Sequence, residues 1–184
     1  EGGCLSDEPH AAAQLQTAAA NNHRARKSSA RIHSPPCQSR PILALAGTSA
    51  EQGRHAACHA FGFPTHDFPK IFPYGIYTIP EMSYVGKTEE ELRTAGVDYE
   101  TGYAAFSEVA RGQIRGETHG LLKLMLERKS QKVLGIHIIG SGACDLISIG
   151  HAIMAKGGVA QDFIEMIFNY PTLAESYRIA AFNG

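Results

Sequence analysis

The chain has 184 residues and a formal net charge of -1, from 17 Lys and Arg against 18 Asp and Glu. This length predicts one domain with room for a short appendage. The balanced charge excludes a strongly basic surface, so we expect no nucleic-acid partner. No apolar run reaches the eighteen or so residues of a membrane-spanning helix, so we expect no membrane partner either.

The cysteines are scattered and form no Cys-x-x-Cys pair or other metal-ligand spacing. Such scattered cysteines are typical of reduced thiols in a cytoplasmic protein. We therefore predict a cytoplasmic location, no disulphide framework and no bound metal. The four residues are Cys4, Cys37, Cys58 and Cys144.

The N-terminal segment differs in composition from the rest of the chain. Residues 1–40 contain no Phe, Tyr, Trp or Val and only three larger aliphatic residues. Such a segment cannot bury enough apolar surface to offset the entropy lost on ordering. We therefore predict a disordered or non-native leader over residues 1–42, without a function of its own.

The next segment has the composition of a tightly packed helix. Small residues and a few polar ones run over residues 48–60, and Ser49 could cap the helix N-terminus. The partner surface for such a helix is not obvious in this chain. Residues 63–74 then form a proline-bearing connector.

A folded region follows, beginning with two short extended pieces at residues 75–80 and 82–85. Thr88 and Glu91 have the spacing of a capping box, in which each side chain bonds the other's backbone amide. They predict a short acidic helix that Gly96 ends.

Three longer strands are predicted next, at residues 99–105, 121–126 and 133–139. The last two form a β-hairpin with a polar turn at residues 129–132. His137 lies inside an apolar strand, where a structural histidine is several times more common than a ligand.

Beyond Gly140 the apolar period changes from two residues to nearly four, which predicts a helix that ends at Gly157 and Gly158. Its apolar face is typical of a core helix and equally of a subunit interface. Strands grouped first and helices last predict an α+β domain, an antiparallel sheet with helices packed on one face. One stripe of this apolar face comprises Cys144, Ile147, His151 and Met154. A shorter second helix is indicated by Phe163, Ile164 and Ile167.

A proline corner at residues 169–175 joins that helix to the last one. Pro171 disfavours helical geometry at Tyr170, so the tyrosine should project from a bend. Thr172 and Glu175 have capping-box spacing. The corner is therefore either a capped helix start or a phenol and a carboxylate held together to face a ligand.

Four motifs in this order and spacing resemble the C-terminal dimerisation domain of the pyridine nucleotide-disulphide oxidoreductases. The resemblance covers residues 43–184. It implies a remnant of the FAD-domain helix at residues 43–62, a connector at 63–74 and the dimerisation domain at 75–184. The motifs lie at residues 75–81, 120–123, 134–140 and 169–175.

Tyr170 distinguishes this chain from most of that family, which has histidine there, followed by Pro-Thr and a glutamate matching Glu175. In dithiol members the His-Glu pair manages the proton of a redox disulphide, and tyrosine, which titrates near pH 10, is a poor substitute. The Asn-Tyr-Pro-Thr form instead resembles the soluble, Si-specific transhydrogenases. This resemblance implies hydride transfer between NADPH and NAD+ through FAD, with a dihydrolipoamide dehydrogenase-like enzyme as an alternative.

The resemblance also implies the site and the partner. Tyr170 and Glu175 would be a catalytic pair facing the flavin of the partner subunit in a homodimer. Tyr170 and Pro171 would contact that cofactor across the dimer.

The cofactors of the intact family member, FAD and NAD(P), would need Gly-x-Gly-x-x-Gly loops that this sequence lacks. We therefore expect the chain alone to bind neither cofactor and to be inactive. The abrupt change in composition favours a truncated or frameshifted gene product. A stand-alone, non-catalytic dimerisation module is the alternative.

Overall fold

The computed structural model of the chain describes residues 45–117 and 119–184. The leader predicted at residues 1–42 lies outside the described residues. Helix α1 spans Ala46–Phe61 and confirms the predicted helix. The expected Ser49 cap is wrong, because the helix starts earlier, with Leu45 at the N-cap position and no side-chain cap. Only Thr48 of α1 is buried, so this helix lies outside the hydrophobic core.

The centre of the fold is a five-stranded antiparallel sheet in the order β1-β2-β5-β4-β3, which confirms the predicted sheet. Its strands are β1 (Tyr74–Ile76), β2 (Met82–Gly86), β3 (Tyr99–Ala105), β4 (Leu121–Glu127) and β5 (Val133–Ile139).

The β4–β5 hairpin has the predicted strands and turn, with Leu121 opposite Ile139. The predicted first strand is too long, since β1 ends at Ile76. Pro80 has no amide hydrogen to donate to a sheet ladder. Thr78 turns the chain there, because its hydroxyl donates to the carbonyl of Pro80 at 2.7 Å.

Six helices are described, and all but α3 (Ala110–Arg115) correspond to a predicted helix. The missed helix α3 has six residues and no apolar periodicity to reveal it. It packs so tightly that a Cβ at Gly112 would lie 1.8 Å from the carbonyl oxygen of Phe106. After α1 come α2 (Glu89–Thr94), α3 (Ala110–Arg115), α4 (Ala143–Ala155), α5 (Ala160–Glu165) and α6 (Ser176–Phe182), with 3-10 turns at Phe106–Glu108 and Leu173–Glu175.

The hydrophobic core lies between one face of the sheet and two helices. Helix α4 covers β2 and β5, and α6 covers β3 and β4. Alternate residues of β4 point into this layer and are fully buried, namely Leu122, Leu124 and Leu126. The rings of Phe163 and Tyr177 stack at 4.9 Å and join α5 to α6.

The apolar residues predicted to form one face of α4 and of α5 are only partly buried in those helices. On α4, Ile147 and Met154 are buried, while Cys144 and His151 lie at the edge of the buried face. Ile167 does not belong to the shorter helix, because α5 ends at Glu165 and the Ile167 side chain is 93% exposed. Within the described part of the chain, no helix is long and apolar enough to cross a membrane.

Candidate functional site

The proline corner follows the end of α5 and leads into α6. Glu175 accepts a hydrogen bond from the amide of Thr172 at 3.2 Å. The Thr172 hydroxyl donates back to the carbonyl of Asn169 at 2.7 Å. The predicted bond of the Glu175 carboxylate to the Thr172 amide is confirmed. Through these two bonds Thr172 joins the first residue of the corner to the last.

Tyr170 projects from the corner as predicted, with 75% of its side chain exposed. Its hydroxyl makes no hydrogen bond to any residue that the structure describes. The Tyr170–Pro171 peptide bond is cis. Because the phenol is exposed and unbonded within the described part of the chain, it can meet a group of another molecule.

Tyr170 and Glu175 line one cleft of about 360 Å³. The structure thus brings together the two residues that the resemblance singled out, although no hydrogen bond joins them. Pro171 does not line this cleft. Its carbonyl oxygen instead accepts a hydrogen bond from Nε of Arg111, 3.1 Å away, which fixes the corner to α3.

Arg178 is a residue of this cleft that the sequence analysis missed. Its guanidinium lies 5.6 Å from the centre of the Phe168 ring and donates to the carbonyl of Met166. Its Nε is buried without a partner among the described residues. Because Arg178 follows Glu175 by three residues, helical spacing could have placed both side chains on one side of the last helix.

A second cleft, of about 420 Å³, lies at the other end of α3. It is lined by Ile79 and by Glu117, whose carboxylate lies 3.1 Å from Nε of Arg115. Ile114, near the C-terminal end of α3, is 67% exposed. We call Ile79, Ile114 and Tyr170 the α3 face. An exposed apolar group of this kind is typical of a protein-protein contact.

The described residues do not fit a complete FAD or nicotinamide nucleotide site. Such a site needs a parallel strand-helix-strand unit with a glycine-rich loop at the helix N-terminus. Every strand pair in the described sheet is antiparallel. These residues can therefore offer a contact at the edge of such a site and cannot enclose one.

Comparison with known proteins gives a family match over the domain just described. Residues 72–181 match the family described as pyridine nucleotide-disulphide oxidoreductase, dimerisation domain. A soluble pyridine nucleotide transhydrogenase from Mycobacterium bovis is 50% identical over 138 residues, 75% of this chain and 30% of that protein. One from Marinomonas sp. is 49% identical over 143 residues, 76% and 31% of the two chains. The chain thus spans about 30% of the length of these curated relatives.

Solved structures show the same fold. The HOCl-induced flavoprotein disulfide reductase RclA from Escherichia coli superposes with a TM-score of 0.71 at 24% identity, over 77% of this chain and 33% of that one. LpdA from Mycobacterium tuberculosis superposes with a TM-score of 0.69, also at 24% identity, over 77% and 31%. At this identity the likeness concerns the fold alone, and it confirms the predicted α+β class.

Proposed function

Because the chain belongs to the dimerisation-domain family of the pyridine nucleotide-disulphide oxidoreductases, we propose that it is the C-terminal dimerisation part of a FAD-dependent enzyme that transfers hydride between NADPH and NAD+. The names of its curated relatives support this reaction. In this proposal, α1 is the remnant of the FAD-domain helix, and FAD and NAD(P) are held by parts of the enzyme outside this chain. The chain alone is inactive, and the enzyme is a cytoplasmic homodimer.

The observation that carries the proposal is the corner itself. Tyr170 extends a hydroxyl without a partner among the described residues, and Glu175 is held beside it on the same cleft. A domain that packs against a second copy through the α3 face would present both groups to the partner subunit. Tyr170 and Glu175 would then line the flavin site of the partner subunit, with Pro171 next to them.

Tyrosine at the corner also favours hydride transfer over dithiol chemistry. A phenol keeps its proton at neutral pH, because its ordinary pKa is near 10. Moving a proton to and from a disulphide requires a group that titrates closer to neutrality. A dihydrolipoamide dehydrogenase-like enzyme is therefore the weaker alternative.

A chimera tests the proposal with this chain's own residues. Residues 72–181 would replace the matching segment of the Mycobacterium bovis transhydrogenase, and transfer of hydride from NADPH to an NAD+ analogue would be followed. We expect an active chimera in which Tyr170→His and Glu175→Gln each lower turnover about tenfold or more. The unjoined chain, incubated with FAD and freed of excess flavin, should be colourless.

The matched control is Glu165→Gln, which makes the same chemical change on the exposed surface of α5. It should leave turnover unchanged. If the corner variants behave like this control, the corner is only a helix start. Stoichiometric flavin on the unjoined chain would contradict the part of the proposal that places the cofactors elsewhere.

The stand-alone dimerisation module is the second candidate, and one observation favours it. The hydrophobic core is closed by residues between Val85 and Ala181, so the domain does not need α1 to bury its apolar residues. An inactive chimera that still dimerises would favour the module over the enzyme.

A further inference from the structure

Three side chains with metal-binding groups meet where the connector folds back onto α1. Nε2 of His55 lies 3.1 Å from Oε1 of Glu51, and Nε2 of His66 lies 3.7 Å from the same oxygen. The three ligand atoms all lie within 4.8 Å of one another. Glu51 and His55 are four residues apart on α1, while His66 comes from the connector.

We propose that Glu51, His55 and His66 form a site for a divalent transition metal of the Zn²⁺ class. Two imidazoles and one carboxylate are a donor set that Zn²⁺ accepts, with the fourth position left to water. Tetrahedral Zn²⁺ with bonds of 2.0–2.2 Å needs ligand atoms about 3.3–3.6 Å apart. The observed separations from Glu51 lie within a few tenths of an ångström of that range.

Aromatic contacts hold both imidazoles in place independently of any metal. The His55 ring meets the His66 ring edge to face at 5.5 Å and the Phe68 ring at 5.3 Å. Phe68 in turn contacts Phe72 at 5.5 Å. These contacts dock the connector on α1, so a metal would find its ligands already gathered.

Arg54 occupies the position that a cation would take. Its guanidinium donates to both carboxylate oxygens of Glu51, at 2.9 and 2.5 Å, and lies 3.3 Å from Nε2 of His66. Within the chain, this guanidinium therefore balances the negative charge of the Glu51 carboxylate. Because a guanidinium can only donate, this contact requires Nε2 of His66 to accept, and an accepting imidazole nitrogen is the form that binds a metal.

A metal would therefore replace Arg54 as the counter-ion of Glu51. The Arg54 side chain is 42% exposed and can turn into solvent. His55 would move its proton from Nε2 to Nδ1, which leaves the net charge of the ring unchanged. The metal would then clamp the connector to α1.

The prediction of no bound metal rested on cysteine spacing, whereas the ligands here are two histidines and a glutamate. The third ligand lies eleven residues beyond the second, on a connector without regular structure. The site also lies before residue 72, where the family match begins. It is therefore a feature of this chain outside the matched family domain.

Zinc titration of the full chain by calorimetry tests the proposal. We expect one site whose affinity falls at least about tenfold in His55→Ala and in His66→Ala. His59→Ala is the matched control, since His59 is exposed on the same helix and outside the cluster, and should leave the affinity unchanged. A loss in His59→Ala with none in His66→Ala would instead place the metal on a helical histidine pair and overturn the proposal.

Arg54→Gln provides a second test, in which affinity should increase. Removing the competing cation should raise zinc affinity about threefold, while circular dichroism shows that α1 is retained. With Co²⁺ as the probe, visible absorption typical of tetrahedral coordination should appear in the wild-type chain and be lost in His66→Ala. Unchanged or weaker zinc binding in Arg54→Gln would contradict a site at this carboxylate.

Discussion

At the scale of single residues, Tyr177 shows how one side chain joins two helices. It is fully buried, and its hydroxyl donates to the carbonyl of Leu146 at 2.8 Å and accepts from the amide of Gly150 at 3.2 Å. These two backbone groups are four residues apart on α4, so the phenol of α6 bridges one turn of the neighbouring helix. Burial raises the pKa of Tyr177, which keeps the hydroxyl protonated and able to donate.

We expect Tyr177→Phe to lower the free energy of unfolding by about 1 kcal/mol, because two buried backbone groups lose a partner. Urea unfolding measures this change. Tyr103→Phe is the control, since Tyr103 is partly exposed and its hydroxyl has no hydrogen bond to the described residues. Equal stability of the two variants would mean that α4 closes its own bond when the phenol is removed.

His137 should make stability depend on pH. Burial lowers its pKa and Lys123 lowers it further, while the Lys87 carbonyl and Glu91 act in the opposite direction. The unfolded chain therefore binds more protons than the folded one just below the ordinary histidine pKa of about 6.5. In that window stability rises with pH, and it is lost as the solution is acidified.

The measurement is urea unfolding at about pH 5.5 and pH 7.5, for the wild-type chain and for His137→Gln. We expect a smaller difference between the two pH values in the variant. The other histidines contribute equally to both proteins, so a difference that is the same in both would exclude His137 as the source.

At the scale of helices and strands, replacing glycine by alanine should have opposite effects on stability at Gly53 and at Gly150. A Cβ at Gly53 in α1 meets nothing within 4 Å, whereas one at Gly150 in α4 would lie 2.2 Å from Cδ1 of Ile136. Alanine is favoured over glycine in a helix by about 1 kcal/mol. Gly53→Ala should therefore stabilise its helix, and Gly150→Ala should destabilise the domain through overpacking.

Amide hydrogen exchange measures both effects. We expect exchange in α1 to slow about two- to fivefold in Gly53→Ala, and exchange in α4 to accelerate in Gly150→Ala. Slower exchange in both variants would show that helix propensity outweighs the contact with Ile136.

Elements set by neighbouring residues were the ones that could be predicted from the sequence. The capping box at Thr88 has both expected hydrogen bonds, at 3.2 and 2.8 Å, because four adjacent residues determine it. The β4–β5 hairpin likewise follows from alternation and a polar turn. Helix α3 could not be predicted, since it depends on the close approach of Gly112 to Phe106 in three dimensions. Arg178 is a different case, because its spacing of three residues from Glu175 is local information that the sequence does contain.

At the scale of the whole molecule, the α3 face relates the fold to the proposed dimer. Ile79 and Tyr170 are exposed at clefts near the two ends of α3, and Ile114 is exposed on that helix. Burial of apolar side chains is the main favourable term in most protein association. A closed, two-fold dimer would bury the same face on both copies.

Sedimentation equilibrium of the chain should therefore show a dimer. A charge introduced into the α3 face should weaken this dimer. We expect Ile114→Lys to raise the dissociation constant about tenfold or more, because a lysine would be buried against apolar groups. The control is Thr94→Lys, which adds the same charge near the end of α2, at an exposed position. In both variants the lysine lies in the last turn of a helix, where a cation is favoured, so folding should be equally unaffected. A wild-type chain that stays monomeric at high concentration, or two variants that dimerise equally well, would contradict an interface at the α3 face.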